Sequence, residues 1–315
     1  MDKKPRVVAD GPPFADAIVE FLGDQVELLP WDVALSGAEG VDAIYTYGHH
    51  AVDGPMMDRL PGLRIISNYG VGVDHIDVKA AAERGIPVGN TPSILDGATA
   101  DMGMALLLAA GRRVMEGDHY ARSPEFLHYD PGYMLGREVH STTLGVIGLG
   151  AIGRQVAKRA NGFDMRVLYF NRRRRPEVEQ ELGVEYRSFD DLLAESDYVM
   201  LCCPLTAETR NLIDAAALAK MKPTSILVNI ARGGVVDTQA LYEALRDRKI
   251  YSAGLDVTEP EPLPRDHPLL GLDNVTIMPH LGSATVETRR EMARNSVENL
   301  MRGLRGEPLL NQVKP

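Results

Sequence analysis

The chain has 315 residues, 44% hydrophobic and 25% charged, with a formal net charge of −10. That length suits about two domains of roughly 150 residues each, and the acidic balance argues against a general nucleic-acid binder, which needs a basic domain. The only cysteines, Cys202 and Cys203, are adjacent, which excludes a disulfide framework and CxxC metal spacing and fits a reducing compartment.

The start, MDKKPRVVADGPP, lacks the long apolar segment of a secretory signal. The longest apolar stretch, 105–110, is too short to span a bilayer. A cytoplasmic protein with no membrane, nucleic-acid or metal partner is expected. In chain order, residues 6–9 read as a strand, 13–22 as a helix, and 26–29, 41–46 and 63–67 as further strands. Strands alternating with helices imply a parallel sheet covered on both faces. A longer helix is predicted over 96–115, with Met102, Leu106, Leu107 and Ala110 at helical spacing. An irregular arm, 123–140, follows, and its length suits a functional or contact-forming segment.

From Thr143 the pattern becomes strict. Residues 144–147 read as a strand, 151–160 as a helix and 165–170 as a second strand. Further strands are predicted at 198–202, 226–230, 251–255 and 275–278, and a last helix at 284–304 that returns to the first domain. The pattern is that of a doubly wound α/β sheet.

Gly148, Gly150 and Gly153 form GxGxxG between a predicted strand and a predicted helix, the context that makes this pattern informative. The first glycine permits the tight turn, the second lets a pyrophosphate approach, and the third lets helix and strand pack closely. The helix start then offers free N–H groups to the phosphates.

The second strand of this unit runs into YFNRRRRPE. An acid at its end would bond the ribose 2′-hydroxyl of NAD, whereas an arginine nearby accommodates the 2′-phosphate of NADP. Asn171 stands where the acid is expected, followed by Arg172, Arg173 and Arg174. A neutral amide removes charge repulsion and the guanidinium forks suit phosphate. NADP(H) is therefore the expected cofactor, with NAD(H) possible, held by Arg172 with Arg173 or Arg174 assisting.

Three later stretches each follow a predicted strand: NIARGGVVD with Arg232, GLDVTEPEPLP with Asp256 and Glu261, and PHLGSAT with His280. Ligands bind at the carboxyl ends of strands in open α/β sheets. The residue types suit reduction of a 2-keto acid. Arg232 can hold the carboxylate or the keto oxygen. His280 can donate the proton, and Glu261 can fix its tautomer and favour imidazolium.

Together with NYGVGVDHID (68–77), GNTPSILDGATAD (89–101) and LGREVH (135–140), these stretches resemble the D-isomer-specific 2-hydroxyacid dehydrogenase family over most of the chain. GLDVTEPEPLP, HPLLGLDNV and PHLGSAT look most like its glyoxylate/hydroxypyruvate reductases, with hydroxyphenylpyruvate reductases similar too. The resemblance implies two Rossmann-like doubly wound domains. A nucleotide domain, 99–285, would be inserted into a discontinuous flavodoxin-like substrate domain, 1–98 and 286–315. It implies Arg232, Glu261 and His280 as the catalytic set, and backbone at Val71 and Gly72 for the substrate carboxylate. It also implies Thr99, Ala151, Ile152, Pro204, Ile230 and Asp256 around the cofactor, and a homodimer built through the long helix and the arm.

A tryptophan often present in that arm is missing, the only one being Trp31, and Phe126, Tyr129 and Tyr133 stand in the arm instead. Tyr47, His49 and His50 follow a predicted strand and can face the substrate or serve only as loop residues. The expected activity is NADPH-preferring reduction of glyoxylate and hydroxypyruvate. Reduction of an aromatic 2-keto acid, or a non-catalytic nucleotide-sensing role, are the alternatives.

Overall fold

The computed structural model describes residues 4–10 and 16–315. It divides into two compact units, one of residues 1–95 and 284–315, the other of 96–283. The first part of the helix predicted over 13–22 lies outside the described residues, and the helix is seen over Asp16–Leu22.

The first unit carries a five-stranded sheet of β1 (Arg6–Ala9), β2 (Glu27–Leu29), β3 (Ala43–Thr46), β4 (Ile65–Asn68) and β5 (Val88–Gly89). All neighbours are parallel, in the order β2-β1-β3-β4-β5. Every residue of β3 and β4 is buried, as expected of a parallel sheet covered on both faces. Strand β5, only two residues long, is too short to show a period in sequence. The last helix, Val286–Arg305, returns to this sheet as predicted. Thr285 caps its start and Gly306, at φ 72°, ends it in the left-handed region. Its Ser296 meets both central strands: Tyr45 Oη lies 2.7 Å from Ser296 Oγ, and Ser67 Oγ donates to the Ser296 carbonyl at 2.7 Å.

The second unit carries a seven-stranded parallel sheet of β6 (Thr143–Ile147), β7 (Arg166–Phe170), β8 (Glu185–Tyr186), β9 (Tyr198–Leu201), β10 (Ile226–Asn229), β11 (Ser252–Leu255) and β12 (Val275–Ile277). The order is β12-β11-β10-β9-β6-β7-β8. The winding reverses at β6, which pairs with β7 on one side and β9 on the other. Ligands bind at the carboxyl ends of strands at such a switch point. The helix Ala151–Ala160 buries Gly153, Val156, Ala157 and Ala160, an i, i+3, i+4, i+7 stripe.

The helix predicted over 96–115 is two helices, Asp96–Gly111 and Val114–Ala121, with Arg113 between them at φ 53°. The break has a packing cause. The Gly111 carbonyl accepts the Arg137 N–H at 2.7 Å, and a Cβ on Gly136 would lie 2.6 Å from that same oxygen. The start of the 123–140 segment's return therefore occupies the acceptor that a continuing helix would use. Among the described residues, no helix is long and apolar enough to cross a membrane.

Candidate active site

His280 follows β12 and adopts φ 57°, a region that costs a non-glycine residue and persists only where its surroundings impose it. Asp256 imposes it. The Asp256 carbonyl accepts the His280 N–H at 2.9 Å, and its carboxylate oxygens accept Leu281 N–H and Gly282 N–H, each at 2.7 Å. Asp256 is only 2% exposed, so the whole turn hangs on a buried anchor. A Cβ on Gly282 would come within 2.9 Å of Asp256 Oδ2 and 3.2 Å of the Thr99 methyl, so Thr99 and Asp256 meet at this glycine.

The turn aims the imidazole at Glu261. His280 Nδ1 and Glu261 Oε1 are 2.7 Å apart, and Glu261 Oε2 accepts the Thr258 N–H at 3.3 Å. Both side chains are about one-third exposed, His280 at 30% and Glu261 at 38%. A carboxylate on Nδ1 fixes the orientation of the ring and its tautomer.

Arg232 follows β10, and Asn229 shapes its turn. Asn229 Nδ2 donates to the Arg232 carbonyl at 2.9 Å and Asn229 Oδ1 accepts the Ala231 N–H at 3.0 Å. Arg232 Nη1 donates back to the Ala231 carbonyl at 2.8 Å. The next residue, Gly233, packs on backbone: a Cβ there would overlap the Thr258 carbonyl group. Close approach at Gly233 thus sets the Arg232 turn directly against the loop that carries Glu261.

The nucleotide turn behaves as its three glycines require. Gly148 has φ 100°, and a Cβ on it would lie 2.6 Å from Cys203 N. A Cβ on Gly153 would overlap the Gly148 carbonyl, whereas one on Gly150 would meet nothing within 4 Å. Gly150 is therefore the open position, at the start of the helix whose first residues are Ala151 and Ile152. Beside the turn is a cavity of about 680 Å³, within the usual range for ligand sites. From the expected set its lining takes in Gly148, Gly150, Asn171, Arg172, Arg173 and Pro204. Ile230 is 5% exposed, its side chain buried against the helix at Gly103. Cys202 and Cys203 also line the cavity, but burial pushes both thiols up, which keeps them un-ionised.

Asn171 does not simply stand in for an acid. Its Oδ1 accepts the Leu149 N–H at 2.8 Å, bracing the glycine turn. Arg174 is placed differently from its neighbours in the run. It is absent from the cavity lining and makes a two-point ion pair with Glu179, with Nε–Oε1 and Nη2–Oε2 both at 2.8 Å. Arg175 takes its place in the lining, along with Thr206 and Thr209. The run alone could not reveal this, because which arginine faces the cavity depends on how the chain turns after β7.

In the first unit, the loop after β4 carries Val71 and Gly72. Asn68 Nδ2 donates to the Gly70 and Gly72 carbonyls at 2.9 and 2.8 Å, and Asn90 Nδ2 donates to the Val71 carbonyl at 2.9 Å. Two asparagines thus hold three successive carbonyls. Tyr47 and the following Gly48 donate backbone N–H groups to buried Asp10 at 2.7 and 3.0 Å, and burial raises the Asp10 pKa. The Tyr47 hydroxyl is buried. His50 stacks on Trp31 and His49 meets His75 edge-on. Among the described residues, no group of three or more His, Cys, Asp or Glu side chains could hold a metal.

A doubly wound sheet with a glycine turn, a cationic cavity at its switch point and an imidazole–carboxylate pair at its strand ends defines a dinucleotide-dependent oxidoreductase. Residues 104–282 match the D-isomer specific 2-hydroxyacid dehydrogenase, NAD binding domain. The chain is 47% identical to a glyoxylate reductase of Pyrococcus horikoshii over 293 residues, 92% of this chain and 87% of that protein. It is 44% identical to the glyoxylate reductase of Aeropyrum pernix, covering 99% and 96%. Among solved structures, the NADPH-dependent glyoxylate/hydroxypyruvate reductase of Sinorhizobium meliloti, in complex with NADP and malonate, superposes with a TM-score of 0.88 at 31% identity, covering 99% of this chain and 97% of that one. A glyoxylate reductase from Paecilomyes thermophila gives 0.86 at 36% identity, covering 99% of each chain. The chain belongs to the D-isomer-specific 2-hydroxyacid dehydrogenase family.

Proposed function

We propose that this enzyme reduces glyoxylate and hydroxypyruvate to glycolate and D-glycerate, using NADPH in preference to NADH. The observation that carries the mechanism is the 2.7 Å His280–Glu261 pair beside the Arg232 turn. Arg232 supplies a fixed cation for the keto-acid, and the backbone N–H groups of Val71 and Gly72 receive its carboxylate. The cofactor supplies hydride to the carbonyl carbon when bound. His280 gives its proton to the carbonyl oxygen, while Glu261 holds the ring in orientation and balances its charge. Oxidation of the 2-hydroxy acid reverses each transfer, with His280 as base.

The pyrophosphate belongs at the turn of Gly148, Gly150 and Gly153, against the first-turn residues Ala151 and Ile152. Arg172 and Arg173 receive the 2′-phosphate. Thr99, Pro204, Ile230 and Asp256 complete the cofactor surround. Residues 99–285 act as the nucleotide domain, with 1–98 and 286–315 as the substrate domain. The activity is cytoplasmic, in keeping with two free thiols.

The functional form is a homodimer. The 123–140 segment leaves Leu127 83%, Tyr129 81% and Leu135 69% exposed, an apolar surface that a partner copy would cover. Light scattering of the wild-type chain tests this, and a monomer across the micromolar range overturns it.

Initial-rate reduction of glyoxylate, hydroxypyruvate and hydroxyphenylpyruvate, each with NADPH and NADH, tests the activity. Turnover of the two small acids with NADPH preferred is the expected result. Preference for the aromatic acid would keep the mechanism and change the substrate class. No turnover despite tight NADPH binding would favour a nucleotide-sensing role.

A further inference from the structure

The four arginines after β7 divide into two groups by what they touch. Arg172, Arg173 and Arg175 line the cavity. Arg174 points to Glu179, on the helix Pro176–Leu182 that follows the run. Its guanidinium also lies 6.0 Å from the Tyr186 ring centre. Glu179 accepts a third bond, from Tyr169 Oη at 2.6 Å. That same hydroxyl accepts the Arg175 backbone N–H at 2.7 Å. Tyr169 itself lies inside β7, is fully buried, and meets Tyr186 edge-on. The arrangement is a closed chain of contacts: β7 holds Tyr169, Tyr169 holds Arg175 N–H and Glu179, and Glu179 holds Arg174.

We propose that Tyr169, Glu179 and Arg174 form a positioning bracket that sets cofactor selectivity, holding the loop so that Arg172, Arg173 and Arg175 together face the 2′-phosphate. This rests on the NADPH reading above. None of the three bracket residues lines the cavity. Their effect runs through the backbone of residues 171–175, because fixing the Arg174 side chain and the Arg175 N–H at the end of the run limits where Arg172, Arg173 and Arg175 can point. Like charges spread along a free loop would repel and disperse, and ordering four flexible side chains costs conformational entropy. The bracket supplies that order before the cofactor arrives. It also accounts for an arginine that the phosphate does not need.

Michaelis constants for NADPH and NADH, measured on the wild type and on Glu179→Gln, Tyr169→Phe, Arg174→Ala and the Glu179→Gln/Arg174→Ala double variant, test the bracket. Both conservative variants keep side-chain volume, and their NADH constants report whether the fold survives. Each single variant is expected to raise the NADPH constant about fivefold, leaving the NADH constant within about twofold and kcat unchanged. The double variant is expected to match the singles, because the residues act as one unit.

If Arg174 binds phosphate directly, Arg174→Ala would weaken NADPH while Glu179→Gln, which frees its guanidinium, would tighten it, and that pattern overturns the bracket. If Arg172→Ala removes NADPH selectivity but the bracket variants leave the NADPH-to-NADH ratio unchanged, the phosphate reading stands and the bracket is overturned. A wild type with no preference, and Arg172→Ala weakening both cofactors equally, would overturn both.

Discussion

Nδ1 of His280 lies 2.7 Å from Oε1 of Glu261, yet the two residues stand on different loops, after β12 and β11. On the proposed mechanism, removing the imidazole removes the proton donor. His280→Asn is expected to lower kcat by about 10²–10⁴-fold, the usual worth of a positioned acid, while the cofactor still binds. Glu261→Gln keeps one acceptor but no charge, and its kcat is expected to fall by roughly ten- to a hundredfold, less than for His280→Asn. Single-turnover rates and cofactor fluorescence titrations check both. A Glu261→Gln enzyme with wild-type kcat would remove that carboxylate from the mechanism.

Gly233 brings the Arg232 turn against Thr258 and Glu259 with no room for a methyl group. Gly233→Ala is expected to destabilise the fold by about 1–3 kcal/mol through overpacking and to cut keto-acid turnover, since Arg232 moves with its neighbour. Gly271→Ala is the control, because a Cβ there meets nothing within 4 Å. Thermal melts and rates on both variants give the comparison. Equal behaviour of the two would mean that close approach at Gly233 does not matter.

Arg172 and Arg173 lie on the cavity wall beside the glycine turn. Replacing both by alanine is expected to weaken NADPH by roughly ten- to a hundredfold, the scale of a lost bond to a charged group, and NADH much less. Equilibrium titration with each nucleotide measures it. Equal losses would show that the pair does not read the 2′-phosphate.

Acid stability carries a further expectation. The Arg166 guanidinium, and behind it Arg187, holds the Glu185 carboxyl down at about 2, from an ordinary 4.5. A carboxyl with a lowered folded-state pKa binds more protons when unfolded, so its stabilising contribution is complete above 4.5 and is lost as pH falls toward about 2. Glu185 is 43% exposed, so solvent screening keeps the contribution small. Glu185→Gln is expected to flatten the stability–pH slope in that window and to leave the neutral-pH slope unchanged. Urea melts across the acid range check this, and an unchanged acid slope would discount the ion pair.

Much of the fold was legible because its signals are local. The apolar runs of β3, β4 and β6 are buried strands, and Gly148, Gly150 and Gly153 sit in the strand–turn–helix context that their spacing implied. Strands β5 and β8, of two residues each, are too short to carry a period. The break at Arg113 escaped because its cause lies 24 residues away, in the Arg137 N–H that takes the Gly111 carbonyl.

By itself, the order of residues determined the family, the doubly wound architecture, the nucleotide turn, and the presence of arginine, glutamate and histidine at successive strand ends. The family rested on the resemblance of whole stretches, whereas short-range geometry governs the nucleotide turn, since a strand followed by GxGxxG and a helix has few ways to fold. Only the tertiary structure decided which arginine faces the cavity, that Asp256 anchors the His280 turn, and that Gly233 seats Arg232 beside the Glu261 loop. Those outcomes depend on contacts between segments distant in the chain. Identical neighbouring residues such as Arg174 and Arg175 face different surroundings, Glu179 and the cavity, because Tyr169 bonds both Glu179 and the Arg175 N–H.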